Sequence, residues 1–307
     1  MRKQVASLAL GLLLAFSSAG AAQTRNLDIY WIDVEGGAAT LIVSPSGESL
    51  LYDAGYETGD RDAKRIYAVA QAAGLTKIDY FVLSHFHADH AGGSRALAKL
   101  IPFGRCFDRG DFIEPMNQQW RDAYMSGCAD KRTILNASDT IPLKGVQVDI
   151  VASNGHFITR PLPGAKVNPL CATAETHPPD VAENQLMVGA LFTYGRFTFI
   201  DLADLDWEAE LELTCPYNRV GEVSIWQAGR HGALDARARP GFSTSSGRRW
   251  SSSTTARTRA LAARPPEHRR RVRCTTTASP RRRASKASGR DTARFLMPTP
   301  PTTHPSR

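Results

Sequence analysis

The sequence predicts an α+β domain of four layers, αββα, with two sheets face to face and helices outside. Three observations carry this. Apolar runs of strand length alternate with segments of helical spacing between residues 26 and 227. Pro, Gly and Ser clusters separate them at turn positions, as in Pro45-Ser46-Gly47. The stretch from 23 to 227 is long enough for one domain. Composition alone narrows the class only to α/β or α+β; the order of elements does the rest.

Asn26 to Val34 alternates partly and reads as a strand, followed by strands over 39–44 and 49–53. Residues 60–73 place Ile66, Val69, Ala70 and Ala73 at helical spacing and stop at Gly74. Residues 78–84 form an apolar run of buried-strand type, and 94–101 read as a helix after a Gly-Gly pair. Residues 102–135 show no regular pattern, and their Trp120, like Trp207, is expected to serve packing. A strand follows over 145–152, then a Pro- and Gly-rich loop over 153–182 in which His156 and His177 read as exposed loop histidines, either of which could touch substrate. Residues 186–194 and 196–201 suit a hairpin about Gly195; 207–213 suit a short helix and 220–227 a strand.

The two ends differ from this body. Arg2 and Lys3, the apolar run Val5 to Phe16 and the small residues up to Ala22 have the form of a secretory signal peptide, too short to span a bilayer. Residues 1–22 are therefore expected to be removed on export, to the periplasm or beyond, leaving no membrane span. Export permits disulfides. Cys106, Cys128, Cys171 and Cys215 allow three pairings, of which the local one, 106 with 128 and 171 with 215, is expected. No Cys-x-x-Cys spacing points to a thiolate zinc site, and Cys274 is left over.

The charge is divided sharply. Residues 228–307 hold 18 Arg and 1 Lys against 3 acidic residues, a net +16, whereas residues 1–227 carry a net −8. With eight large apolar residues among 80, this segment is too poor to bury a core. Three readings of it stand: a basic arm for anionic partners, a spacer, or a stretch of a GC-rich gene read out of frame, which the ratio of Arg to Lys favours. The expected organisation is thus a signal peptide over 1–22, one domain over 23–232 whose C-terminal part is incomplete, and a disordered tail over 233–307.

The chemistry concentrates in His85-Phe86-His87-Ala88-Asp89-His90, at the exit of the 78–84 run and ahead of Ala91-Gly92-Gly93. Imidazole nitrogen and carboxylate oxygen suit zinc and similar ions. His85 and His87 alternate along an extended segment and can point the same way; Asp89 and His90 leave the turn beyond and can serve a second ion.

The form His-x-His-x-Asp-His resembles the metallo-β-lactamase superfamily. Other segments fit the resemblance, which covers about residues 27–233. Leu51-Tyr52-Asp53-Ala54-Gly55 resembles an early strand-end element whose Asp supports the metal-binding loop. Ile200 to Asp204 resembles a later strand whose terminal Asp bridges two metals, a role the resemblance assigns to Asp204. Glu183 to Val188 lies where many members place a further metal-binding His; Asn184 stands there instead, as in the hydrolase-like domain of bacterial DNA-uptake (competence) channel proteins. A last ligand, after a late strand, corresponds to His231 in Gly229-Arg230-His231-Gly232, where related sequences have Ser-His-His-Gly. Arg230 departs from that pattern, so His231 stands either as a ligand or as a histidine without a role.

The resemblance implies two divalent ions, zinc by preference, held by His85, His87, Asp89, His90, Asp204 and His231. It implies hydrolysis of an ester, amide or phosphodiester by a metal-bound hydroxide, with Asp89 orienting the nucleophile and Asn184 donating a hydrogen bond to a substrate oxygen. The DNA-uptake likeness favours phosphodiesters over lactams, while the acidic body opposes tight binding of nucleic acid. Two alternatives stand beside this reading: an inactive or truncated remnant of such a hydrolase, and a metal-binding module without catalysis.

Overall fold

In the computed structural model, residues 26–174, 176, 178, 182–232 and 270–274 are described. The expected signal peptide, His177 and the remainder of the Arg-rich segment lie outside them. The first half of the chain builds one sheet. Strand β1 (Leu27–Trp31) pairs antiparallel with β2 (Thr40–Val43), and β2 turns through Gly47 into β3 (Ser49–Tyr52). Helix α1 (Arg61–Ala72) buries Ala63, Ile66, Val69 and Ala70, the face its spacing predicts, and carries the chain across to β4 (Ile78–Val82), parallel to β3. A single turn, α2 (Ala88–Ala91), and α3 (Ser94–Leu100) follow.

The next segment is more regular than the sequence predicts. Residues 102–135 contain β5 (Phe103–Asp108), helix α4 (Gln118–Cys128) and β6 (Arg132–Ile134), with β5 parallel to both β4 and β6. Gly104 and Arg105 interrupt the apolar run of β5. Both are accommodated: a Cβ at Gly104 would lie 2.5 Å from the Asp79 carbonyl oxygen, and the Arg105 guanidinium lies 5.0 Å from the Phe107 ring centre. Helix α4 buries only Ala123, Tyr124 and Cys128, too few for a clear periodic signal.

The second sheet comprises β7 (Gln147–Ser153), β8 (His156–Phe157), β10 (Gly189–Tyr194), β11 (Phe197–Asp201) and β13 (Ile225–Trp226), in the order β13-β11-β10-β7-β8. Strands β10 and β11 form the predicted hairpin, whose turn places Gly195 at φ 59°. The loop over 153–182 also contributes β9 (Lys166–Val167), paired with β12 (Tyr217–Asn218) in a separate ribbon. Helix α5 (Trp207–Thr214) starts at an Asp206 cap that accepts from Ala209 N. The strand expected over 220–227 shrinks to the two residues of β13.

Strand β14 (Arg270–Cys274) pairs antiparallel with β1 and completes a seven-stranded sheet, β14-β1-β2-β3-β4-β5-β6. Composition predicts no element there. The free edge of β1 presents a row of backbone donors and acceptors that pairs with little regard for side-chain type.

The two sheets enclose a core of Leu27, Ile29, Leu50 and Val82 from the first and Val148, Ile150, Phe192 and Phe199 from the second. Helix α5 packs Ala209 and Leu213 into the same cluster. A separate cluster seats α1, α3 and α4 on the first sheet through Ile66, Leu97, Tyr124 and Phe81. This is the predicted mixed sandwich. The expected disulfides are present, Cys106–Cys128 and Cys171–Cys215. Among the described residues no helix is long and apolar enough to cross a membrane.

Candidate metal centre

The parallel pairs β3–β4 and β11–β13 run their carboxyl ends toward one place between the sheets. Asp53 follows β3, residues 83–90 follow β4, Asp204 follows β11 and His231 follows β13. The backbone is drawn tight here. A Cβ at Gly92 would stand 2.4 Å from the Ala88 carbonyl oxygen, and one at Gly93 2.1 Å from that of Ala54. Only glycine lets α2 lie against the loop after β3.

Asp53 organises the site from beneath. It is fully buried, at φ 62°, and its Oδ1 accepts from Ser84 N at 2.7 Å. Its Oδ2 accepts from Ser84 Oγ at 2.7 Å and faces His90 Nδ1 at 2.7 Å. A carboxylate only accepts, so the His90 proton sits on Nδ1 and its Nε2 lone pair points away from Asp53. Ser84 spends its one proton on Asp53, so its Oγ accepts from His85 Nδ1 at 3.0 Å and leaves the Nε2 lone pair of His85 free. Glu114 Oε2, 3.2 Å from His87 Nε2, fixes the third imidazole in the opposite sense, with its lone pair on Nδ1. His85 Nε2 and His87 Nδ1 then face each other at 3.0 Å with no proton between them. That arrangement is unfavourable alone and suits a cation.

Beside this pair, Asp89, His90, Asp204 and His231 bring one ligand atom each within 4.8 Å of one another. His231 Nε2 lies 3.0 Å from Asp89 Oδ2 and 3.2 Å from Asp204 Oδ1; His90 Nε2 lies 3.7 and 3.4 Å from the same atoms. Neither His90 Nε2 nor Asp204 Oδ1 makes a hydrogen bond of good geometry, although both are buried. The departure at Arg230 does not displace His231. Arg230 N donates to the Ala203 carbonyl oxygen at 3.0 Å, and positive φ at Arg230 (45°) and His231 (55°) turns the imidazole into the cluster.

The charges describe a place built for positive charge. Burial works against ionising His90, yet Asp204, Asp89 and Asp53 hold its pKa well above the ordinary histidine value. His231, against the same burial, is raised to about 9 by the adjacent carboxylates of Asp204 and Asp89. Burial would raise the pKa values of Asp89 and Asp204, but His90 and His231 hold both below the usual carboxylate range. His85 is lowered well below 6.5, by burial first and His90 second, which keeps it a neutral donor. The carboxylates that favour a proton on His90 and His231 would likewise favour a divalent ion among them. Donor type, outward-facing lone pairs and buried carboxylates together fit such an ion.

Asn184 sits on the one-turn 3₁₀ helix Glu183–Leu186, buried, with Oδ1 lacking a hydrogen-bond partner. Among the described residues, Asp89, His90, Asp204 and His231 are the only group of three or more ligand types; His85 and His87 remain a pair. His156 is exposed on β8. Sequence reasoning missed Glu114, Arg109 and Glu183. Arg109 and Glu183 form a fully buried ion pair under the loop, and Glu183 Oε1 accepts from Phe86 N at 3.2 Å, between the two histidines. Glu183 was visible only as the neighbour of Asn184, and Glu114 carried no signal at all.

Residues 32–163 match a family model described as the metallo-beta-lactamase superfamily. Over that stretch the chain is similar to the metallo-β-lactamase superfamily. Among solved structures, the chain is similar to a metallo-β-lactamase with a HARLDQ motif from Cronobacter sakazakii, at 18% identity and TM-score 0.37, over 58% of this chain and 60% of that one. It is also similar to MEM-A1, a subclass B3 metallo-β-lactamase from a soil metagenome library, at 15% identity and TM-score 0.44, over 67% and 78%. The metallo-β-lactamase fold protein YhfI from Bacillus subtilis is similar at 13% identity and TM-score 0.41, over 66% and 70%. No curated protein matches the chain.

Proposed function

We propose that this chain is an exported, metal-dependent hydrolase acting on an ester, amide or phosphodiester bond. The observation that carries the reading is the convergence of imidazoles and ionised carboxylates, with His90, His85 and His87 oriented from outside by Asp53, Ser84 and Glu114. His85, His87, Asp89, His90, Asp204 and His231 would hold two divalent ions, zinc by donor type. Zinc bound there would supply Lewis-acid polarisation and lower the pKa of a bound water toward about 7.

The chain's own groups do the rest. Asp89, the more exposed of the two carboxylates in the cluster at 19% against 10%, accepts a proton from the attacking water and aims its lone pair. Asn184 offers its amide to a substrate oxygen. A small cavity between the sheets is lined by Trp31, Thr40, His90, Asp204, Gln227 and His231. Trp31 Nε1 donates to Gln227 Oε1 at 2.7 Å across its wall and holds the two sheets together.

Among substrate classes we favour small phosphodiesters over lactams, on the DNA-uptake resemblance around Asn184, and over polymeric nucleic acid, because the body is acidic. Export rests on the Arg2 to Ala22 pattern, and the disulfides agree with an oxidising compartment. A second reading, a metal-binding module without turnover, is favoured by one observation: only two imidazoles serve the His85 side. Purified protein, assayed for metal content and against a phosphodiester, a lactone and a cephalosporin with and without chelator, decides between them. Bound zinc with chelator-sensitive turnover supports the hydrolase; bound zinc without turnover supports the module; insoluble protein supports the remnant; soluble protein without metal refutes the first two readings.

A further inference from the structure

Glu114 belongs to the loop between β5 and α4, a region without a recognisable motif. Its carboxylate nevertheless receives three groups. Oε2 accepts from His87 Nε2 at 3.2 Å and from Asn117 Nδ2 at 3.2 Å; Oε1 accepts from Glu183 N at 3.0 Å. Glu183 returns the contact: its Oε2 accepts from Ile113 N at 3.1 Å, next to Glu114. Its Oε1 accepts from Phe86 N and from Arg109 Nε, at 3.2 and 3.0 Å. The two glutamates therefore form a reciprocal clamp on three segments: the His85–His87 strand exit, the 109–114 loop and the turn that carries Asn184.

The histidines of the cluster are not all held alike. Asp53 and Ser84 make His85 and His90 present Nε2. His87 sits two residues further along, with Nδ1 toward His85 and Nε2 outward. Left alone, neutral imidazole exchanges between tautomers, and the Nε2 lone-pair form would turn an N–H toward His85. A carboxylate on Nε2 removes that form, because it can only accept. An imidazole oriented in this way is also a more basic ligand.

We infer that Glu114 is a positioning residue, which fixes the Nε2–H tautomer of His87 so that Nδ1 serves the His85 side of the metal centre, and that Glu183 holds it in place. The inference rests on the hydrolase reading for its metal and on hydrogen-bond geometry for its tautomer, so the two can fail separately. The test uses the whole protein as wild type, Glu114→Ala and Glu114→Gln. In metal-free protein, ¹⁵N shifts of the imidazoles report the tautomer of His87: Nε2–H in the wild type, a mixture in Glu114→Ala. Zinc affinity, read by competition with a chelator, falls by about 10- to 100-fold in Glu114→Ala. Glu114→Gln keeps one acceptor oxygen and the loop's shape, and falls between. Folded variants in which the His87 tautomer stays Nε2–H overturn the inference, whatever the melting temperature does. If the wild type binds no zinc, the hydrolase reading fails and the tautomer alone decides the role of Glu114.

Discussion

Asp53→Asn is the most discriminating single change in the support of the site. The backbone accepts it, because Asn tolerates the left-handed conformation that residue 53 adopts at φ 62°. Asn Oδ1 can keep the bond from Ser84 N, but Nδ2 must replace the oxygen that now faces Ser84 Oγ and His90 Nδ1, each at 2.7 Å. Both partners then have to reverse. His90 accepts at Nδ1 and carries its proton on Nε2, where the lone pair faced Asp89 and Asp204. Zinc affinity should fall about 10- to 100-fold, with most of the fold's stability kept. Asp53→Ala instead leaves three buried donors without an acceptor, at about 1–3 kcal/mol each. For a domain of this size about 1 kcal/mol shifts the melting temperature by about 2–4 °C, so a drop on the order of 10–20 °C is expected. Zinc competition and thermal melts of the two variants, side by side, test the argument. Wild-type zinc affinity in Asp53→Asn refutes it.

Zinc binding must displace the proton that His231 holds up to about pH 9, so apparent affinity should rise at least tenfold per pH unit below 9 and level off above, as calorimetry in buffers of different ionisation enthalpy will show. In metal-free protein the same group stabilises the fold fully below its unfolded pKa of about 6.5 and loses that contribution as pH rises through about 9. Asp201, pushed up to about 7 by burial, acts in the other direction: it binds a proton in the folded state, so stability falls between about pH 4 and 7. Asp201→Asn keeps the acceptor for Ala203 N and should flatten that fall, gaining about 1–4 kcal/mol at pH 8 in denaturant titrations of metal-free protein. Reduction of Cys106–Cys128, which closes a separation of 22 residues, should cost about 2–4 kcal/mol of unfolding free energy.

The strands and the ligands were legible in the sequence for different reasons. Strand β4 and the α1 face announce themselves through period, and His85 to His90 through the density of ligand types. Asp204 and His231 could be located only by resemblance, because nothing local marks an Asp or His that acts at a strand end. Residues 102–135 escaped because Gly104 and Arg105 break the run of β5, and their accommodation by Asp79 and Phe107 is a long-range matter. The support of the site was the least legible part. Glu114, Arg109 and Glu183 act across 27 to 97 positions of sequence, and a charged residue in a loop looks the same whether it faces solvent or fixes a tautomer. Arg230 shows the converse: a motif departure that the backbone absorbs, since Arg230 N and the turn to Gly232 still direct His231 inward.

The central claim is that the histidines and aspartates after β4, β11 and β13 hold divalent metal. Crystals of the protein grown with zinc, measured on both sides of the zinc absorption edge, test it directly. The account predicts an anomalous peak among Asp89, His90, Asp204 and His231, with a second one beside His85 and His87. Well-ordered crystals that bind zinc only elsewhere, or not at all, would contradict it.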